Sequence, residues 1–274
     1  KDLKARVSPF LLRRLKTDTT ISSDLPEKVE LCEWVGLSKE QKSLYQKTIE
    51  ETLDAIAKAP RGQRHGKVLG LLTRLKQICN HPALALKEEN INANFALRSA
   101  KLQRLEEILE EVIEAGDRTL LFTQFVEWGH LLQTYLQHKW HFEIPFLHGS
   151  TTKAERQAMI DRFQEDPRGP QIFLLSLKAG GIGLNLTRAS HVFHIDRWWN
   201  PAVENQATDR AYRIGQENRV MVHKFITSGS VEEKIDQMIR EKSRLAEDII
   251  GSGEDWLGSL DVSELRELVA LEDT

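Results

Sequence analysis

From Ser99 to Ile226 short apolar runs alternate with amphipathic helical patterns, and this alternation restricts the fold more than any other feature of the chain. Leu102, Leu105, Ile108, Leu109, Val112 and Ile113 recur at helical spacing, and Gly116 ends that pattern. An apolar run over 119–122 predicts a strand. The periodicities then predict a helix over 126–137, a strand over 144–147, a helix over 152–164, strands over 172–175 and 191–195, a helix over 201–214 and a strand over 220–226. Strands that alternate with helices in this way build a parallel α/β sheet with helices on both faces. A final helix is expected over 231–249, followed by an acidic tail beyond Gly251.

The first hundred residues have a different character. Arg13, Arg14 and Lys16 form a basic cluster beside the apolar Phe10, Leu11 and Leu12. A short strand is expected over 29–35. Ser38 followed by Gln41 has the spacing of a capping box, which predicts a helix over 39–58. Pro60, Arg61 and Gly62 are expected to break it, and a second helix is expected over 67–79, stopped by Pro82. Residues 87–97 have the composition of a polar loop. The segment is therefore mainly helical.

Composition narrows the class without naming it. The 274 residues are 40% hydrophobic and 29% charged, enough for one large or two smaller globular domains. The net charge of −3 gives no global attraction to nucleic acid, so any such contact needs a local face. Cys32 and Cys79 are too far apart for a CxxC motif, which argues against a disulfide framework or a zinc site and for a reducing compartment. No run approaches a membrane span, and the first residues do not have the pattern expected of a signal peptide. Opening on Lys1 rather than Met suggests a piece of a longer polypeptide.

Phosphate chemistry is the theme of the remaining motifs. Gly62, Gly66 and Lys67 imitate a P-loop, but the spacing is one residue short and Val68 stands where a magnesium-binding hydroxyl belongs. The run Lys178-Ala179-Gly180-Gly181-Ile182-Gly183-Leu184-Asn185-Leu186-Thr187 follows a strand; its glycines suit equally a backbone that approaches an anion and a tight structural turn. Asn200 and Pro201 predict a helix start. On that helix Val203, Ala207, Ala211 and Ile214 would form an apolar stripe, and Gln206, Arg210 and Arg213 a polar stripe at its edge. Surface arginines show the same spacing. The Trp198-Trp199 pair, in a loop at a strand's carboxyl end where ligand sites of open α/β sheets lie, weighs toward a cleft. His138, His141 and His148, and the pair His191 and His194, lack metal-ligand spacing, so no metal site is expected.

In order along the chain, these segments resemble the carboxy-terminal RecA-like lobe of the SWI/SNF family of superfamily-two helicase-like ATPases. Pro9-Phe10-Leu11-Leu12-Arg13-Arg14 and Leu25-Pro26-Glu27-Lys28 resemble the family's connector. Leu75-Lys76-Gln77-Ile78-Cys79-Asn80-His81-Pro82 is similar to its helical insertion, and Ser99-Ala100-Lys101 to the start of the second lobe. TLLFTQF over 119–125 resembles motif IV, SLKAGGIGLNLT over 176–187 motif V, DRWWNP over 196–201 the family's tryptophan motif and QATDRAYRIGQ over 206–216 motif VI.

The resemblance implies a connector over 1–37, a helical insertion over 38–97, a RecA-like lobe over 98–228 and a brace helix with an acidic tail over 229–274. It implies that Arg210 and Arg213 are arginine fingers, with Gln206, Gly181 and Gly183 lining an ATP cleft. Thr123, Gln124, His148, Gly149, Ser150, Ser176, Lys178, Asn185 and Trp198 would meet a DNA backbone, and Trp199 with Asn200 would couple the two sites. ATP and magnesium would be held mainly by a first RecA-like lobe, since the sequence has neither a Walker A motif nor a DExH box; the isolated chain would then be half of a DNA-dependent ATPase and inactive alone. Double-stranded DNA and that first lobe are the expected partners, with no membrane. A polymerase, a nucleosome or another DNA-bound protein would be the object moved. The location would be intracellular, in the cytoplasm or nucleoid of a microbe or a eukaryotic nucleus; the compact lobe tilts toward a microbe. Two rival functions remain at this point, the lobe of a strand-separating helicase and a non-catalytic DNA-binding or protein-interaction module.

Overall fold

The computed structural model describes residues 25–179, 183–245 and 261–272. Six strands form one sheet, all neighbours parallel: β1 (Lys28–Val35), β2 (Thr119–Thr123), β3 (Phe146–Leu147), β4 (Ile172–Ser176), β5 (His191–His194) and β6 (Val220–Thr227), in the order β1-β6-β5-β2-β4-β3. The inner strands β2 and β4 are buried at every residue, which is why they read as unbroken apolar runs and not as alternation. Their side chains divide between two cores. Leu121, Ile172, Leu174, Phe193 and Phe225 pack on one face, and Leu120, Phe122, Phe173, Leu175 and Val192 on the other.

Helices cover both faces. They are α1 (Lys39–Ala57), α2 (Arg61–Asn80), α3 (Pro82–Leu86), α4 (Ala100–Glu114), α5 (Val126–Trp140), α6 (Lys153–Glu165), α7 (Pro201–Thr208), α8 (Val231–Leu245) and α9 (Val262–Val269). Ser38 caps α1 as the sequence predicts, with the reciprocal Gln41 bond in place. A third core, made largely from α1, α2, α8 and α9, holds Tyr45, Leu53, Leu71, Leu75, Ile78, Val231, Ile235 and Leu265. None of the described helices is long and apolar enough to cross a membrane.

Three segments depart from the sequence expectation and one keeps it. The strand expected over 29–35 is present as β1, which pairs with β6 along its whole length and is the edge strand of the sheet. Pro60 marks the start of α2, six residues earlier than the apolar pattern alone suggests; Pro60 occupies the N-cap, outside the helix, where its ring does no harm. The loop at 87–97 is polar in composition, yet Phe95 is buried in it, stacked 4.1 Å from the His81 ring. Part of the acidic tail is helical: Asp261 and Glu264 form a capping box, and Leu265, Leu268 and Val269 drop into the third core. The connector motif 9–14 and the end of the brace helix at 246–249 lie outside the described residues.

Candidate nucleotide and nucleic-acid site

In an all-parallel sheet the carboxyl ends of all strands lie along one edge. The ends of β2, β3, β4 and β5 therefore bring Thr123, Gln124, His148, Ser176, Lys178 and Trp198 to a common rim. They do not all face outward. Thr123 is buried, with its hydroxyl donating to Asp196 Oδ2 at 2.6 Å. Ser176 is buried too, and its hydroxyl accepts from Ala179 N at 3.3 Å. Gln124 is half-buried and its side chain turns inward to Asp196. Gly149, Ser150, Lys178, Gly183 and Asn185 are exposed, and His148 is half-exposed with Nδ1 2.9 Å from Ser150 Oγ. Gly183 has a φ of +27° and open space where a Cβ would stand, leaving its backbone accessible. Gly181 lies outside the described residues.

The tryptophan motif is clamped from both sides. Asp196, at the end of β5, is fully buried and accepts from Thr123, Asn80 and both the backbone and the side-chain amide of Gln124. Burial still raises its carboxyl above the usual range, against the opposing pull of Lys76 and these donors. Arg197 is buried as well: it donates to Glu204 Oε1 at 2.9 Å and pairs with Asp236 of α8. Glu204 Oε1 also accepts from Trp198 N at 2.8 Å, and Asn200 caps α7 through Ala202 N. Burial would raise the Glu204 carboxyl, but Arg197 and the remaining donors outweigh it and hold it low. Trp198 and Trp199 are half-buried and lean into different cores, Trp198 toward the sheet and Trp199 toward the helical side. Arg197, Glu204 and Asp236 were invisible as site residues in the sequence. The only hint was an arginine inside the motif with a glutamate seven residues on.

Helix α7 stops at Thr208, six residues short of the expected end. Thr208 Oγ1 lies 2.8 Å from His194 Nε2 on β5, and the Arg210 carbonyl accepts from Leu186 N at 2.9 Å. Burial holds His194 neutral, its pKa lowered to about 4. The bond from Leu186 spends the Arg210 carbonyl outside the helix, and the backbone tightens into turns, with Arg210 N bonded to Ala207 O and Ala211 N to Thr208 O, both at 3.1 Å. So Arg210 and Arg213 stand on a turn that Ala211 anchors in the core, not on a helical stripe. Arg210 is only 7% exposed and its Nε has no partner, while Arg213 and Gln206 are exposed. Burial and then the like charge of Arg213 lower the Arg210 pKa, against the opposing pull of the Asp209 carboxylate. The Leu186 bond puts this turn against the loop that begins at Ser176, so one loop touches both the strand-end rim and the arginine turn. Among the described residues no group of three or more His, Cys, Asp or Glu could hold a metal ion.

An all-parallel sheet with helices on both faces and a polar rim at its strand ends is the architecture of a RecA-like lobe. The helicase conserved C-terminal domain matches residues 100–215, and the SNF2-related domain matches residues 1–84. The chain is 40% identical to the Sulfolobus solfataricus SWI2/SNF2 ATPase C-terminal domain, with a TM-score of 0.77, covering 90% of this chain and 100% of that one. Against the Sulfolobus solfataricus SWI2/SNF2 ATPase core in complex with dsDNA, identity is 42% and TM-score 0.79, over 99% of this chain and 56% of that one. The putative ATP-dependent helicase/translocase YwqA of Bacillus subtilis (strain 168) is 47% identical over 272 residues, 99% of this chain but 29% of that protein. The chain belongs to the SWI2/SNF2 ATPase family.

Proposed function

We propose that this chain is the second motor lobe of an ATP-driven translocase or remodeller that acts on double-stranded DNA inside the cell. The observation that carries the proposal is Arg210, mostly buried with Nε unpartnered, beside an exposed Arg213 of the same charge. Two guanidiniums side by side, with Asp209 the one carboxylate among the described residues that acts on Arg210, keep a net positive charge that fits the negative charge of a nucleotide presented by a preceding lobe. ATP supplies a γ-phosphate that gathers negative charge as its bond to the β-phosphate breaks. Arg210 and Arg213 would neutralise that charge, and the core-anchored turn fixes them in place before it develops. Gln206 and the open backbone at Gly183 would line the same cleft. Magnesium would accompany the nucleotide and be held mainly by the preceding lobe, since among the described residues no group of three or more His, Cys, Asp or Glu could hold a metal ion.

At the strand-end rim, the exposed Gly149, Ser150, Lys178 and Asn185 with the half-exposed His148 would lie along a DNA backbone. Small polar groups and backbone amides suit phosphates and carry no base readout. The dsDNA-bound Sulfolobus relative supports this partner. Thr123 and Ser176 would support the rim from beneath, since their hydroxyls are already used. Trp198, Trp199 and Asn200 would couple rim to cleft, because their loop joins the end of β5 to the helix that leads into the arginine turn.

Two measurements on the isolated chain test this assignment. With saturating duplex DNA and ATP, phosphate release is expected at the level of a no-protein blank. Turnover clearly above the blank, and lost on Arg213→Ala, would show a complete active site in this chain. Duplex binding is expected to be weak and indifferent to sequence. Each phosphate counterion released adds about −0.9 to the slope of log affinity against log salt, so affinity should fall as salt rises. Titrations of unrelated duplexes at two salt concentrations measure this; salt-insensitive binding, or a marked preference for one sequence, would count against a backbone contact.

A further inference from the structure

Lys76 is 1% exposed, and an ammonium is seldom buried so fully unless charges and hydrogen bonds compensate it. Here the compensation runs through a chain of polar side chains. Lys76 Nζ donates to Gln124 Oε1 at 3.0 Å, and Gln124 Nε2 donates to Asp196 Oδ1 at 2.9 Å. On the other carboxylate oxygen, Asn80 Nδ2 donates to Asp196 Oδ2 at 3.1 Å, while Asn80 Oδ1 accepts from Lys101 Nζ at 3.0 Å. Lys101 completes the line with Glu232 of α8 at 2.8 Å. Each amide thus turns its carbonyl to an ammonium and its NH2 to the carboxylate, the one orientation that serves both charges. Positive and negative groups alternate from Lys76 through Asp196 and Lys101 to Glu232, all buried. The Lys76 ammonium also lies 4.9 Å from the Trp199 ring and 5.7 Å from the Trp198 ring, within cation–π reach of both.

A core need not be built this way to be stable, because buried ion pairs can often be replaced by apolar groups at no loss. What such a chain does specify is position. Lys76 belongs to α2, Gln124 to the motif IV rim, Asp196 and the tryptophans to the loop before α7, and Glu232 to α8. We propose that Lys76 is a positioning residue of the motor: its buried ammonium, through Gln124 and the faces of Trp198 and Trp199, locks the tryptophan loop to α2, so that rim and arginine turn respond together. This inference rests on the coupling role proposed for that loop.

The test compares full-length proteins by the ratio of DNA-stimulated to basal kcat, with melting temperature measured alongside. Lys76→Gln keeps a donor toward Gln124 but removes the charge; the ratio should fall about tenfold. Lys76→Arg keeps the charge and should remain within about threefold of wild type. In the double variant with Trp199→Ala, the loss should be no greater than for Trp199→Ala alone, since both act through one element. A merely structural lysine would instead give losses that multiply. Full stimulation in a normally melting Lys76→Gln overturns the inference. If Lys76→Gln melts early, Lys76→Arg decides: melting and stimulation restored together support the role, and melting restored without stimulation overturns it. Should Trp199→Ala itself leave the ratio intact, the coupling proposal fails first; if Trp199→Ala destroys it while Lys76→Gln does not, only the role of Lys76 fails.

Discussion

In the full-length protein, Arg213→Ala is expected to lower kcat by at least about 10², while the KM for ATP changes far less. Arginines that meet a transferring phosphoryl group contribute roughly 10³–10⁵ in rate where they have been measured. A loss of 10² corresponds to about 2.7 kcal/mol of transition-state stabilisation. Arg213 is exposed, so its removal should leave the melting temperature unchanged; surface substitutions usually stay within about 0.5 kcal/mol. That separates a role in chemistry from a role in folding. Arg210→Ala should lower kcat comparably, but its guanidinium is mostly buried and lies beside the core-anchored Ala211, so some loss of stability is expected as well. Arg210→Lys keeps the charge in a different shape and should recover part of the rate without recovering all of it. Steady-state ATP hydrolysis at saturating duplex DNA, with thermal melting of each variant, measures both effects. Near-normal kcat in both alanine variants would show the pair to be ordinary surface charge.

The sheet and its covering helices were legible because their causes are local. Apolar runs at β2 and β4, helical spacing at α4 and the capping box at Ser38 are all written within a few residues of where they act. Long-range causes were not legible. Nothing near Val29 says that its strand will pair with residues almost two hundred positions later. The early end of α7 accompanies the bond from Leu186 N to the Arg210 carbonyl, a contact from a distant loop, so the sequence predicts a helix that is too long. The site divides in the same way. Motif spacing marks Arg210, Arg213, Trp198 and Trp199, but the roles of Asn80 and Lys76 depend on Asp196 and Gln124, far away in the chain, as does the pairing of Arg197 with Asp236. Thr123 and Ser176 show the converse: a polar residue in a motif can be spent on holding its neighbours, and only burial reveals it.

Trp199→Ala is expected to uncouple the motor without unfolding it. The side chain is half-buried against the helical core, with the Lys76 ammonium over its ring, whereas Trp128 is fully buried under Phe95 and His81. Truncating a fully buried aromatic typically costs about 3–5 kcal/mol, a large share of the whole stability of a domain. Trp128→Ala is therefore the control for structural damage: its melting temperature should drop steeply and every activity should fall together. Trp199→Ala should lose a smaller part of that stability, and the ratio of DNA-stimulated to basal kcat should collapse toward one. The physical reason lies in what the loop joins. Asp196, Arg197 and Glu204 pin its two ends to β2, α8 and α7, so under the coupling proposal a change at the rim would reach the arginine turn through the tryptophans between them. Trp198, which leans into the opposite core, must be replaced in parallel, since the two rings can divide packing and coupling between them. If both alanine variants melt as early as Trp128→Ala and neither loses DNA stimulation selectively, the pair is packing and the coupling role is wrong.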